Sequence, residues 1–140
     1  MDDIQALAAM IYGEGASTDY DTMKMIGSTA INRLKSGKSK EFGASIPEII
    51  QKGYYAASNA NIPYQQASIN SFPDKKSENA YKQALAIASG LIKGSIKPDK
   101  GHFYFTDKEI AKMKRQGNKA FNFNAVKPMG AIGGYKVFGY

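Results

Sequence analysis

Apolar positions recur with helical spacing over the first third of the chain. Ile4, Leu7, Ala8 and Ile11 stand at i, i+3, i+4 and i+7, which predicts a helix from Asp3 to about Tyr12, stopped by Gly13 and Gly15. A second helix is predicted from a Thr18 cap, with Asp19 and Asp21 in its first turn, to about Ser36, with Met23, Ile26, Gly27, Ala30 and Leu34 on one face and Gly37 as its stop. Ser45 and Glu48 have capping-box spacing and open a short helix through Ile49 and Ile50 to Gly53. Residues 54 to 75 sustain no period and read as a long irregular loop holding Pro63 and Pro73. Ser77 is expected to cap a third long helix, whose stripe Tyr81, Ala84, Leu85, Ala88, Leu91 and Ile92 ends at Gly94. His102 to Phe105 read as a strand, and Thr106 with Glu109 forms another capping box for a helix to about Arg115. Phe121 to Asn124 and Tyr135 to Phe138 are further strand candidates, with Gly130 to Gly134 as a loop between them. The expected fold class is therefore α+β, helix-rich, with a small antiparallel sheet late in the chain.

A chain of 140 residues without linker, repeat or low-complexity segment predicts one domain, residues 1 to 140. The absence of cysteine removes disulfides, thiolate nucleophiles and sulfur-ligated metal sites, and the lone His102 cannot build a multi-histidine cluster. No cofactor and no metal are expected, and acid/base chemistry falls to carboxylates and tyrosines. The net charge of +7 points to an anionic partner, and because Arg33 and Arg115 are the only arginines, the field is one of scattered lysines. Such a field suits a polyanionic surface better than base readout. The acids Asp2 and Asp3 stand where a secretory signal carries basic residues, and no apolar run is long enough for a membrane span, so neither export signal nor membrane partner is expected.

Among the carboxylates, Glu14 stands apart. It closes an apolar helix within Tyr12-Gly13-Glu14-Gly15, where the negative pole of the helix dipole and the apolar surroundings both favour the protonated form. The flanking glycines allow a substrate or another backbone to approach closely. These are the requirements of a general acid that protonates a leaving-group oxygen. An ordinary glycosidase needs a second carboxylate roughly 5 to 9.5 Å away. Asp19, Asp21, Glu41 and Glu48 are near in sequence, but helix capping explains them more economically, which favours a one-carboxylate mechanism. Tyr54, Tyr55 and Tyr64 could stack on sugar faces or pack beneath the loop. His102 reads as a packed residue, and Asn32, polar on an apolar helix, as a partner for nearby backbone. The glycines from Gly130 to Gly134 are no nucleotide fingerprint, since no helix follows them.

Leu7 to Glu14, followed by Ile26 to Ser36 with its Asn32-Arg33 pair, resembles the opening of the SleB-type cell-wall hydrolases, the catalytic domain of spore-cortex-lytic enzymes and of related phage endolysins. Ile46 to Gly53, Ala80 to Ala86, the aromatic strand from His102 to Thr106, and Ile132-Gly133-Gly134 with Val137-Phe138 continue the resemblance in order and spacing over nearly the whole chain. The resemblance implies a lysozyme-like fold and cleavage of the bond between N-acetylmuramic acid and N-acetylglucosamine, commonly as a lytic transglycosylase that leaves a 1,6-anhydro end. It places the acid/base on Glu14. The candidate substrate-binding residues are Asn32, Tyr54, Tyr55, Tyr104, Thr106 and Tyr135. Tyr54-Tyr55 stands where the family often has Gln-Phe, and Tyr135 where it usually has His. The partner implied is the peptidoglycan glycan strand, met by a monomer made in the bacterial cytoplasm in the manner of an endolysin. The competing readings are a hydrolytic muramidase on the same fold, and a non-enzymatic basic nucleic-acid-binding module whose 16 Tyr and Phe residues stack on bases. Scarce arginine and the absence of a recognition motif argue against the latter, so no nucleic-acid partner is expected.

Overall fold

The computed structural model describes residues 1–15, 18–117 and 119–140. At its centre lies α1 (Asp3–Gly15), in which every residue from Ala6 to Tyr12 is buried. A helix that is apolar on all sides needs neighbours on all sides. Here they are α2 (Tyr20–Lys35), α4 (Ile46–Gly53), α5 (Tyr55–Ser58), α6 (Ile62–Ser68) and α7 (Lys75–Lys93), while the short α3 (Ser39–Phe42) sits beside α4. The helix continues through Gly13, where the sequence predicted a stop. A Cβ at Gly13 would lie 2.7 Å from that of Ala56 and 3.1 Å from that of Tyr64, so the missing side chain lets α5 and α6 close against the end of α1. Asn61 ties the two parts further by donating to the Gly13 carbonyl at 2.9 Å.

The predicted caps are displaced in two places. Asp19 rather than Thr18 caps α2 by accepting from the Thr22 amide at 2.9 Å, and Thr18 instead donates to the Gly15 carbonyl. Asp74 rather than Ser77 caps α7, accepting from the Ser77 amide at 2.7 Å. In both cases a carboxylate three residues ahead of a free N–H outcompetes the hydroxyl. Ser45 caps α4 as expected, but Glu48 reaches back to the Ala44 amide, so the box closes one residue early. Leu34, assigned to the buried face of α2, is exposed.

The long segment predicted as irregular contains α5 and α6, helices of 4 and 7 residues, too short for a 3.6-residue period to register. Asn61 caps α6 and Pro63 occupies its first turn. Gly94 ends α7 in the left-handed conformation (φ +86°), as predicted.

The sheet comes late in the chain and is antiparallel, with β1 (Phe103–Thr106) and β2 (Lys127–Ile132) on either side of β3 (Tyr135–Gly139). Thr106 opposite Tyr135 and Phe103 opposite Phe138 set the register of β1 on β3. Phe121 to Asn124 is no strand: residues 123–125 form a 3-10 turn, and Phe121 and Phe123 stack edge-on with each other and against Phe105. Nor is Gly130 to Gly134 a loop throughout, since Gly130, Ala131 and Ile132 belong to β2 and only Gly133-Gly134 turn, both with positive φ, as a two-residue hairpin requires. The hairpin tip rests on Thr22, where a Cβ on Gly133 would collide. Between β1 and the rest of the sheet the chain forms α8 (Asp107–Arg115), whose Thr106–Glu109 capping box is fully made. The fold is a helix-rich α+β arrangement with a three-stranded antiparallel sheet. Among the described residues no helix is long and apolar enough to cross a membrane.

Candidate functional site

Where the end of α1 meets the sheet, a cleft of about 290 Å³ opens between Glu14, Arg33, Gly53, Tyr54, Tyr55, Tyr104, Phe105, Glu109 and Tyr135. Glu14 reaches it because the last turn of α1 stays helical through its two glycines. Tyr104 and Tyr135 reach it because of strand register. Tyr104 lies opposite Val137 and Thr106 opposite Tyr135, so alternate residues of β1 and β3 share one face, and the rings of Tyr104 and Tyr135 meet edge to face at 5.2 Å.

The Tyr104 hydroxyl donates to Oε1 of Glu14 at 3.1 Å. Burial raises the Glu14 carboxyl above its ordinary 4.5, opposed by that hydrogen bond, raised again by the charge of Glu109, and lowered by the Arg33 guanidinium and the Ala56 amide. Desolvation is the largest of these influences, so Glu14 holds its proton to higher pH than an exposed glutamate. Burial likewise pushes Tyr104 well above the usual phenol range, with the Glu14 charge adding to it. Tyr135 is raised by burial and by the charges of Glu14 and Glu109. The tyrosines are thus neutral donors, and Glu14 is the group suited to exchange a proton.

Tyr54 and Tyr55, adjacent in sequence, part company in space. Tyr54 is 2% exposed; its hydroxyl bonds Thr29 Oγ1 at 2.6 Å, and because Thr29 spends its own proton on the Ile26 carbonyl, Tyr54 is the donor. Tyr55 is 69% exposed on the cleft wall. Tyr64 is buried and receives a hydrogen bond from Gln51, a packing role.

Two sequence candidates lie elsewhere. Asn32 donates from one amide nitrogen to the Asp99 and Gly101 carbonyls, both at 2.7 Å, which fastens the approach to β1 onto α2. Thr106 is occupied as the cap of α8. His102 packs parallel to Phe42, with its Nδ1 buried and unpartnered. Of the acids near Glu14 in sequence, Asp19 and Glu48 bond helix-start amides, Glu41 accepts from the Tyr140 hydroxyl, and neither they nor Asp21 lines the cleft.

Two charged residues of the cleft, Arg33 and Glu109, are not among the candidates the sequence offers. Arg33 is 8% exposed, donates to the carbonyls of His102 (2.8 Å) and Gly53 (3.5 Å), and lies over the rings of Tyr54, Phe103 and Phe42. Among the described residues it has no carboxylate partner. Its signal was a charge on the buried stripe of α2, seven residues after Ile26. Glu109 had a sufficient local explanation in its capping box, and no local pattern shows that it shares a cleft with Glu14. Among the described residues no group of three metal-ligating side chains is gathered to hold an ion. Compared with family models, with curated proteins and with solved structures, the chain matches none of them.

Proposed function

We propose that the protein cleaves the glycosidic bond between N-acetylmuramic acid and N-acetylglucosamine in peptidoglycan, on a lysozyme-like fold, with Glu14 as the acid. The observation that carries this reading is a carboxyl raised by burial, at the wall of an open cleft, hydrogen-bonded by a half-buried tyrosine and flanked by an exposed one. Glu14 gives its proton to the glycosidic oxygen as the bond to the anomeric carbon breaks. Tyr104 then donates to the carboxylate left behind. Tyr55 offers an apolar ring face to a sugar, with a polar tip for its hydroxyls.

The second half of the reaction has two courses. As a lytic transglycosylase the enzyme needs only Glu14, which takes the proton of the muramic acid 6-hydroxyl as that oxygen closes the 1,6-anhydro ring. As a hydrolytic muramidase it needs a second carboxylate to activate water, and the presence of Glu109 in the cleft favours this second reading. A nucleic-acid-binding role fits less well, because a phosphate backbone entering here would meet two carboxylates. The net charge of +7 suits approach to an anionic wall, as for an endolysin-type enzyme acting as a monomer.

Turbidity loss of purified peptidoglycan, with mass spectrometry of the fragments, tests the proposal. Glu14→Gln keeps the shape and removes the exchangeable proton, and the expected loss is on the order of 10²- to 10⁴-fold. Lysis within tenfold of the parent would remove Glu14 from the mechanism.

A further inference from the structure

The capping box that starts α8 engages one oxygen of Glu109. Oε1 accepts from the Thr106 amide at 2.9 Å, and the Glu109 amide donates in return to Thr106 Oγ1 at 3.2 Å. This reciprocal pair fixes the side chain, and the other carboxylate oxygen, Oε2, has no protein partner among the described residues. The same side chain lines the cleft with Glu14 and Tyr135 and is exposed to water. We infer that Glu109 is a second catalytic carboxylate of this cleft, the base that takes a proton from the attacking water. The inference rests on the reading that the cleft cleaves glycosidic bonds.

The step balances within the cleft. Water oxygen bonds the anomeric carbon while the glycosidic carbon–oxygen bond breaks; Glu14 passes its proton to the departing oxygen, and Glu109 receives the proton that water gives up. The two carboxyls meet different surroundings, which is how one fold keeps an acid and a base side by side. Glu14 is partly buried at a helix end, whereas Glu109 is solvated and held by a backbone amide. The negative charge of Glu109 also helps Glu14 keep its proton before the reaction. Fixing one oxygen by the cap reduces the orientational freedom that a glutamate base otherwise loses on reaching the transition state.

Glu109→Gln separates the structural role from the chemical one, because glutamine also closes a capping box and so preserves α8. Digestion of purified sacculi in ¹⁸O-labelled water is expected to give fragments carrying the label at the new reducing end. The variant should melt like the parent and turn over at least about a hundredfold more slowly. Turnover within tenfold of the parent would overturn the assignment. Unlabelled 1,6-anhydro ends from the parent enzyme, one water lighter, would overturn it too while leaving glycosidic cleavage and Glu14 in place. Failure of the parent to cut the glycan at all would remove the proposed function and this inference together.

Discussion

The Tyr104 hydroxyl and Glu14 Oε1 are joined at 3.1 Å by residues 90 positions apart, one on a strand and one at the end of the central helix. The bond favours the ionised form of Glu14, against burial, which favours the protonated form more strongly. The acid is therefore poised by two opposed influences.

Removing the hydroxyl by Tyr104→Phe leaves burial less opposed, so the Glu14 carboxyl rises further. An acid must be protonated to act, and its activity is lost as pH rises through its pKa. The alkaline limb of the lysis profile is accordingly expected to move to higher pH in Tyr104→Phe. A limb that stays in place or moves down would show that the hydrogen bond does not govern Glu14.

Glu14→Gln carries a second expectation, in stability. The folded-state pKa lies above the ordinary 4.5, so the contribution of Glu14 is fully present below that value and is lost as pH rises through the folded value. Above the ordinary value the folded state must either hold a proton that the unfolded chain releases or ionise Glu14 in its partly buried site, a cost that glutamine does not meet. The variant should melt at a higher temperature than the parent at pH 7, with the difference shrinking towards pH 4. A variant less stable than the parent at both pH values would contradict the burial argument.

Much of this cleft was legible along the chain because Glu14 breaks a local rule. A carboxylate between glycines at the end of an apolar helix has no local structural explanation, whereas most other acids stand at helix starts. Tyr104 and Tyr135 were visible as members of an aromatic strand and a closing strand. Glu109 was hidden by the reverse logic, since its capping box satisfied every local expectation. Arg33 was hidden because nothing near it in sequence shows that the carbonyls of Gly53 and His102 converge on its guanidinium. The helices α5 and α6 were missed because one or two turns held by tertiary contact at Gly13 leave no periodic trace. That Glu109 at the start of α8 shares a cleft with Glu14 at the end of α1 is a long-range relationship, and no local window contains it.

Arg33 joins α2, α4 and β1 through two carbonyls and three aromatic faces. Arg33→Met keeps the apolar stem but leaves both carbonyls without a donor, and should cost about 2 to 3 kcal/mol in urea unfolding. Gly53→Ala reaches the same group from the other side, because its Cβ would collide with Arg33 Nη1. The backbone of Gly53 is ordinary helix, so the expected loss of about 1 to 3 kcal/mol comes from overpacking alone. Unchanged unfolding in both variants would mean that the guanidinium does not fasten these elements.

Burial divides the neighbours Tyr54 and Tyr55 into separate functions, and paired substitutions should separate them. Tyr54→Phe removes a buried donor to Thr29 but keeps the ring beneath Arg33, so it should cost about 1 kcal/mol of stability and leave turnover near that of the parent. Tyr55→Ala touches no core contact, and its ring is 69% exposed on the cleft wall. Loss of a stacking face worth about 1 kcal/mol raises KM roughly fivefold on soluble glycan fragments, with the melting curve and kcat little changed. The informative comparison is the sign of the split: stability falls in one variant and substrate affinity in the other. Should Tyr55→Ala leave KM unaltered while Tyr54→Phe raises it, the sugar would have to contact the buried ring, and the exposed wall would be no part of the binding site.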